Sequence, residues 1–406
     1  MDLAIIVLAS GPATGTNLSA ARSVAGRPVL RWVLDAARAL EPVVLMGVSD
    51  AQDLFQPIAG LDVEWVAEFA QASSVAGRAS TVLVMGGNLP LIDAATLRKM
   101  VTHHQTQQAT VTQILPAQQE SEILLGFADD WLWSTLEHGA NDAEGAAALE
   151  ALVDVAHARG KAVSVLGLKD PLQVLAVVDE EKFAQAEAEM RRRINRHWMQ
   201  QGVALINPEA TYIQADVQIG AGTTIWPNTF LQGETRIGRD CTIGCGSVIR
   251  DSSIGDSCRV ELSVIEQAVM EEGSNIGPFG HLRKGAHLGP GVHMGNFGEV
   301  KNSYLGPGVK MGHFSYLGDA TVGENTNIGA GTITCNYDGQ RKHPTHIGQD
   351  VFIGSGTMLV SPLEIGKGAT VGAGSVVTHD VPPGSVVYGV PARVRANPLD
   401  TEPEVE

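Results

Sequence analysis

The chain has 406 residues, a formal charge of −17, four cysteines and 46 glycines. That length accommodates two domains. The acidity argues against nucleic-acid binding, because a phosphate backbone demands a basic face, and four scattered cysteines do not make a disulfide framework.

From the N-terminus, apolar runs at 3–9, 42–48 and 81–86 read as buried parallel strands. Pro28–Leu40, Ala94–His104 and Glu144–Arg159 read as helices between and after them. The alternation predicts an α/β domain with a mostly parallel sheet over residues 1–178. Its first strand lacks the basic segment of a signal peptide, and no apolar run reaches the roughly 18 residues of a membrane span. A cytoplasmic location with no membrane partner is therefore expected. The strand runs into Ser10-Gly11-Pro12-Ala13-Thr14-Gly15-Thr16, a weak phosphate-cradle pattern with no lysine after it. Residues 179–203 are good helix formers carrying Arg191, Arg192 and Arg193, with Gly202 as a stop; a solvated linker helix is predicted.

Glycine usage then changes, with 14 of the 46 glycines preceding residue 205. Over 204–396 an aliphatic residue followed by glycine recurs at spacings near multiples of six, from Ile219-Gly220 through Met294-Gly295 and Met311-Gly312 to Val371-Gly372. That period predicts a parallel β-helix, with the aliphatic side chain inward and glycine permitting the backbone turn at each corner. One long gap, Ile328 to Ile347, contains Asn336-Tyr337-Asp338, and such a loop on a rigid solenoid is a common place for binding chemistry. Residues 397–406 read as an acidic, frayed tail.

His313 lies off the inward position and is expected to project outward near Tyr316. Asn327, Asn336 and Tyr337 come from the following turns, Arg283 and Lys301 from the preceding ones. N-acylation of an amino sugar needs a base, because only the neutral amine attacks a thioester, and histidine titrates near neutrality. It also needs an oxyanion donor, which the Ala330 N–H supplies if no ladder bond uses it. Arginine and lysine suit a sugar phosphate. His281, His287 and His293 raise the alternative of a metal cluster, as in a metal-dependent hydratase. Residues six apart lie on adjacent faces of a triangular prism and diverge within one chain, so no metal is assigned there. Cys241 and Cys245 read as small buried or facial thiols.

Four motifs carry a family resemblance: Ile276-Gly-Pro-Phe-Gly-His-Leu-Arg283, Gly295-Asn-Phe-Gly-Glu-Val-Lys301, Gly312-His-Phe-Ser-Tyr-Leu-Gly-Asp319 and Asn327-Ile-Gly-Ala-Gly-Thr-Ile-Thr-Cys-Asn-Tyr-Asp338. The stretch from Gly202 to Val381 resembles the acetyltransferase domain of the bifunctional N-acetylglucosamine-1-phosphate uridyltransferase/glucosamine-1-phosphate acetyltransferase family. The resemblance implies an α/β nucleotidyltransferase-like (Rossmann-like) domain followed by a left-handed parallel β-helix of hexapeptide repeats, assembled as a homotrimer with sites between subunits. It implies His313 as general base, Arg283, Lys301, Tyr316, Asn327 and Lys342 on the sugar phosphate, and Asn336 and Tyr337 at the acetyl-transfer site. Ala330, Ser355 and Ala373 would contact acetyl-CoA. One expected CoA-contacting arginine is missing from its place, and Arg393 is taken as its substitute.

The N-terminal half resembles the uridyltransferase domain in layout only. The family's Leu-Ala-Ala-Gly-x-Gly-Thr-Arg loop with a following Pro-Lys pair is replaced by Leu8-Ala-Ser-Gly-Pro-Ala-Thr-Gly-Thr-Asn17 and Leu18-Ser19-Ala20-Ala21-Arg22. The family's metal-binding aspartate is Asn88, and its second metal ligand aligns near Val178. Neutral asparagine is a poor Mg²⁺ ligand. Phosphoryl transfer depends on metal and cationic clamps, so a degenerate uridyltransferase half is expected, with Mg²⁺ relevant only if that site is active. Two alternatives stay open: a chain that is still bifunctional, and an N-terminal half that senses nucleotide or serves assembly.

Overall fold

The computed structural model describes residues 2–9, 20–49, 63–67, 71–72, 79–115, 123–127 and 146–396. The Ser10–Thr16 loop and the 397–406 tail lie outside the described residues. The chain divides into two compact units, Met1–Met190 and Arg191–Glu406.

In the first unit a seven-stranded sheet runs in the order Glu64–Val66, Val44–Val48, Leu3–Leu8, Thr81–Gly86, Ile123–Phe127, Val111–Leu115, Val163–Gly167. Leu3–Leu8 is buried along its whole length and pairs in parallel with both neighbours, which is why its sequence shows no polar alternation. Ile123–Phe127 is antiparallel to both of its neighbours. Helices Val29–Arg38, Ala94–Gln107 and Ala146–Ala158 complete the α/β unit. The side chain of Asp93 caps the second of these by accepting from the Thr96 N–H at 2.7 Å.

Helix Glu180–Gln200 spans the division between the units. It ends beside Gly202, whose φ of +86° is the left-handed conformation that stops helices cheaply. Its last turns bring Ile194 and Trp198 against the core of the second unit. Buried Asn195 donates to the Pro208 and Thr211 carbonyls at 2.6 and 2.9 Å. The helix thus caps one end of the solenoid; the antiparallel strand Ala392–Ala396 pairs along Val386–Gly389 at the other.

Between these caps the second unit is a left-handed parallel β-helix of three sheets, in which each strand pairs with the strand three further along the chain. The first face starts at Ala204–Leu205, the second at Thr211–Ile213 and the third at Gln218–Ile219. Inward residues stack into one apolar core, as in Leu282, Val300 and Leu317 on the second face, all fully buried.

The glycines beside inward residues do a different job from the expected turning. A Cβ on Gly220 would stand 2.6 Å from the Gly238 carbonyl carbon, so what that glycine supplies is room for the next coil. Apart from Gly277, with φ of +113° beside inward Ile276, positive φ falls elsewhere, as at Gly222 and Gly308. Glycine after the inward residue is also confined mostly to the first and third faces. On the second face the corresponding residues are Gln232, Arg250, Glu266, Arg283 and Lys301, with Gly318 the exception.

The long gap in the repeat is shorter than it looks. Strand Ile333–Cys335 continues the second face, with buried Thr334 in the inward position where an aliphatic residue was expected. Its hydroxyl accepts from the Gly318 N–H at 2.8 Å, which removes the usual penalty for a polar group in the core. The true insertion is 336–344, and the chain resumes the third face at Thr345–Ile347.

Leu282→Ala would leave a cavity in a core that the flanking coils hold at fixed spacing. We expect it to cost about 2–5 kcal/mol, read as a lowered urea midpoint with the slope unchanged.

Candidate functional site

His313 sits at the corner between the first face, which ends at Met311, and the second-face strand Ser315–Gly318. Its side chain is exposed, and among the described residues it makes no hydrogen bond or ion pair. His313, Ala330, Ser355 and Ala373 each lie two residues beyond an inward residue of the first face, respectively Met311, Ile328, Ile353 and Val371. They therefore form one column along a single corner, and three coil steps span roughly 14 Å. At Ala330 the neighbouring N–H groups are used: Gly329 donates to Ile353 O at 2.9 Å and Gly331 to Phe314 O at 2.6 Å. The Ala330 N–H has no acceptor among the described residues, so it is free to act as a donor. Arg393 lies on the C-terminal cap strand opposite Tyr388, exposed, one coil beyond this column.

Across the second face stands a cationic group. Arg283 and Lys301 follow the inward residues Leu282 and Val300 on adjacent coils, and Lys342 reaches back from the insertion. The Lys301 ammonium is held below the usual lysine range, first because Lys342 lies within hydrogen-bonding reach, then by the charges of Lys342 and Arg283. Like charges gathered in solvent this way favour an anion between them. Arg283 is meanwhile paired with Glu299 at 2.8 Å, a partly exposed bridge of little intrinsic strength that an incoming phosphate can replace. Tyr316 pairs with Glu299 and Ile333 on the same face. A Cβ on Gly318 would clash with the Tyr316 hydroxyl and meet Asn336 Nδ2 at 2.8 Å, so that glycine lets the two side chains approach.

The insertion is a tight hairpin. Tyr337 bridges Lys342, and the His343 N–H donates to Asn336 O at 2.8 Å. The Asp338 carboxylate accepts the Arg341 and Gln340 N–H groups at 2.8 Å each and contacts His343 Nε2 at 2.7 Å. Those contacts, the Arg341 N–H first, hold its carboxyl well below the usual carboxylate range. Tyr337 is exposed at the tip and donates to Gly339 O at 2.7 Å.

Asn327 is not brought to this group. It lies on the first face, between Lys310 and Phe352, across the His313 corner from Tyr316. His281, His287 and His293 fall on the second, third and first faces, and their nearest partners are Glu266, Glu271 and Asn275 at 3.3, 2.5 and 2.6 Å. Cys241 and Cys258 are buried on adjacent coils, and Cys245 is exposed. Asp319 closes one of the family motifs but has no role assigned from the sequence. It accepts from both Asn302 and Asn336 Nδ2, each at 2.5 Å.

In the first unit the Asn88 backbone carbonyl accepts from the Val177 N–H at 2.9 Å, so the positions aligned with the family's two metal ligands are neighbours. Asn88 Oδ1 is buried with no hydrogen-bond partner among the described residues, and Val178 offers only an apolar side chain. One neutral oxygen is a poor fit to a divalent cation. Arg22, the nearest described cation after the 10–19 segment, makes two hydrogen bonds to Glu180 at 2.7 and 2.9 Å and covers the Phe183 ring at 3.7 Å. Glu180 is largely exposed, so this bridge too has little intrinsic strength.

The family described as bacterial transferase hexapeptide (six repeats) matches residues 216–251 and 344–379. A protein from Pelobacter propionicus named Bifunctional protein GlmU is 35% identical, with 95% of each chain covered. One of the same name from Shouchella clausii is 33% identical over 93% of this chain and 94% of its own. Among solved structures, 2-C-methyl-D-erythritol 4-phosphate cytidylyltransferase from Thermus thermophilus aligns at 15% identity and a TM-score of 0.37, covering 47% of this chain and 100% of that one.

Removing one member of the cationic group should relax the others. We expect Lys342→Ala to raise the Lys301 pKa toward the ordinary lysine value, followed by NMR titration of labelled lysine; an unchanged pKa would show that the two ammonium groups do not meet.

Proposed function

The chain belongs to the family of bifunctional GlmU proteins, and from that we propose that it moves an acetyl group from acetyl-CoA to the amine of glucosamine-1-phosphate. The convergence of Lys301, Lys342 and Arg283 on one face carries this reading, because it matches a sugar phosphate. The His313 column supplies the rest. The neutral amine attacks the thioester carbonyl, the C–N bond forms, and His313 takes the amine proton. The Ala330 N–H donates to the tetrahedral oxyanion. Collapse breaks the C–S bond, and the proton passes to the departing thiolate.

The substrate's amine and phosphate sit on adjacent ring carbons, whereas one chain places His313 and the cations at opposite edges of the second face, with Asn327 on another. We therefore propose a homotrimer in which neighbouring subunits share each site. With no helix among the described residues long and apolar enough to cross a membrane, the proposed setting is the cytoplasm. His313→Ala is expected to lose at least about 100-fold in turnover, the scale of general-base loss, measured as thiol release. Mixed assembly with Lys301→Ala subunits should restore part of it. Near-normal turnover of His313→Ala, or no recovery on mixing, would remove His313 or the shared site from the account.

We propose further that uridylyl transfer is lost, because Asn88 stands where the family has a metal-binding aspartate, Val178 offers no ligand atom, and the arginine and lysine of the family's nucleotide loop are absent from the sequence. The second reading, a chain still bifunctional, is favoured by the name of relatives that align along nearly the whole chain. Incubation with UTP, Mg²⁺ and N-acetylglucosamine-1-phosphate separates the two. We expect no pyrophosphate above background, and robust release would establish the bifunctional reading.

A further inference from the structure

The insertion that carries Asn336, Tyr337 and Lys342 is attached to the solenoid through one residue that no assigned role includes. Asp319 lies two residues past inward Leu317, at a second-face corner, with φ of +52°. Aspartate tolerates that left-handed conformation better than most residues. Its N–H donates to Lys301 O at 3.1 Å, and its carbonyl accepts the Thr345 N–H at 3.1 Å. The carboxylate takes Asn302 Nδ2 on Oδ1 and Asn336 Nδ2 on Oδ2, each at 2.5 Å. Asn302, Asp319 and Asn336 occupy the same corner position on three successive coils, two residues after Val300, Leu317 and Thr334.

A carboxylate in the middle of that ladder has a consequence that an amide there lacks. It carries no donor, so both asparagines must turn their NH₂ groups toward it. At Asn336, 6% exposed, this fixes the side chain so that the carbonyl Oδ1 faces away from the ladder. Asp319 also holds the other end of the insertion, through the Thr345 N–H. Asp251, at the equivalent corner, shows the simpler use of such a residue: among the described residues its carboxylate accepts a backbone N–H, that of Glu234, at 3.0 Å.

We propose that Asp319 is a positioning residue for acetyl transfer, tying both ends of the 336–345 segment to the Lys301–Tyr316 coil and setting the orientation of the Asn336 amide. This rests on the acetyltransferase reading above. Asp319 itself touches neither substrate; it acts through Asn336 and through the placement of Lys342.

The test uses full-length protein. Asp319→Asn puts an NH₂ group where one of two NH₂ groups must be received. We expect kcat for acetyl transfer to fall about tenfold or more, the scale of one charged hydrogen bond. Adding Asn302→Asp returns an acceptor to the ladder, and the double variant should recover most of kcat, while Asn302→Asp alone sets two carboxylates side by side and should not exceed the wild type. Trypsin cleavage after Arg341 and Lys342 provides a readout independent of catalysis: faster in Asp319→Asn, restored in the double variant. Asp319→Asn with kcat within twofold of wild type and unchanged cleavage would overturn the proposal. So would an impaired Asp319→Asn that the second substitution fails to rescue in either readout. If wild-type protein does not acetylate glucosamine-1-phosphate, the acetyltransferase reading falls, and the cleavage arm alone decides whether Asp319 anchors the insertion.

Discussion

The spacing between coils is the constraint on which the second unit depends. Parallel strands stack at about 4.8 Å, and inward side chains of successive coils must fill the prism at that interval. Wherever the chain bends close to the coil above, a Cβ has no space. Gly220 shows this at a third-face corner, and Gly354 at a first-face one, where an added Cβ would stand 2.5 Å from the Ala373 N. Glycine at these two corners is a packing demand, and it leaves those positions with no side chain to do chemistry. The second face bends differently, with longer strands such as Gly298–Lys301 and Ser315–Gly318. There the residue after the inward one keeps a side chain, and Arg283 and Lys301 use that freedom. The cationic group lies on the face that glycine leaves available.

That distribution explains what was legible in the sequence. The six-residue period emerges directly because the inward position tolerates little besides aliphatic residues. The aliphatic-glycine pairs marked two faces out of three; apart from Leu317-Gly318, the remaining face was visible only as interruptions of the repeat, at Leu282-Arg283 and Val300-Lys301. Thr334 hid a whole strand, because a threonine satisfied by the Gly318 backbone does not look like core. In the first unit the buried parallel strands stood out as unbroken apolar runs. Ile123–Phe127 did not, since nothing local distinguishes an antiparallel insertion from another crossover strand. Asp319 was missed for a plainer reason. A lone carboxylate at a corner reads as surface charge until its two amide partners are seen.

On the proposed loss of uridylyl transfer, the first unit keeps its fold without its site. Its core is built from Ile5, Ile6, Leu30, Met46, Leu83 and Met85, all fully buried. Replacing an aspartate with Asn88 removes a negative charge that needs a cation beside it. Engaging Arg22 with Glu180 and Phe183 gives a guanidinium a structural partner. Sites of binding and catalysis commonly cost stability, so a scaffold tolerates substitutions of this kind. Similarity along the whole chain is therefore compatible with unequal fates for the two units, since similarity follows the core and chemistry follows a few charges.

Electrostatics sharpens the same point for the second unit. Against an overall charge of −17, three cations on one face make a local exception. At physiological salt the field of distant acids is screened within about 8 Å, whereas groups in near contact still feel one another. The depressed Lys301 reports such contact. A nucleic acid would meet the acidic remainder of the surface and be repelled, because its affinity grows with the number of phosphates neutralised together. A single phosphate on a small sugar needs only the local group. On the proposed reading, the acidic surface and the local cations together favour an anion small enough to sit among Arg283, Lys301 and Lys342.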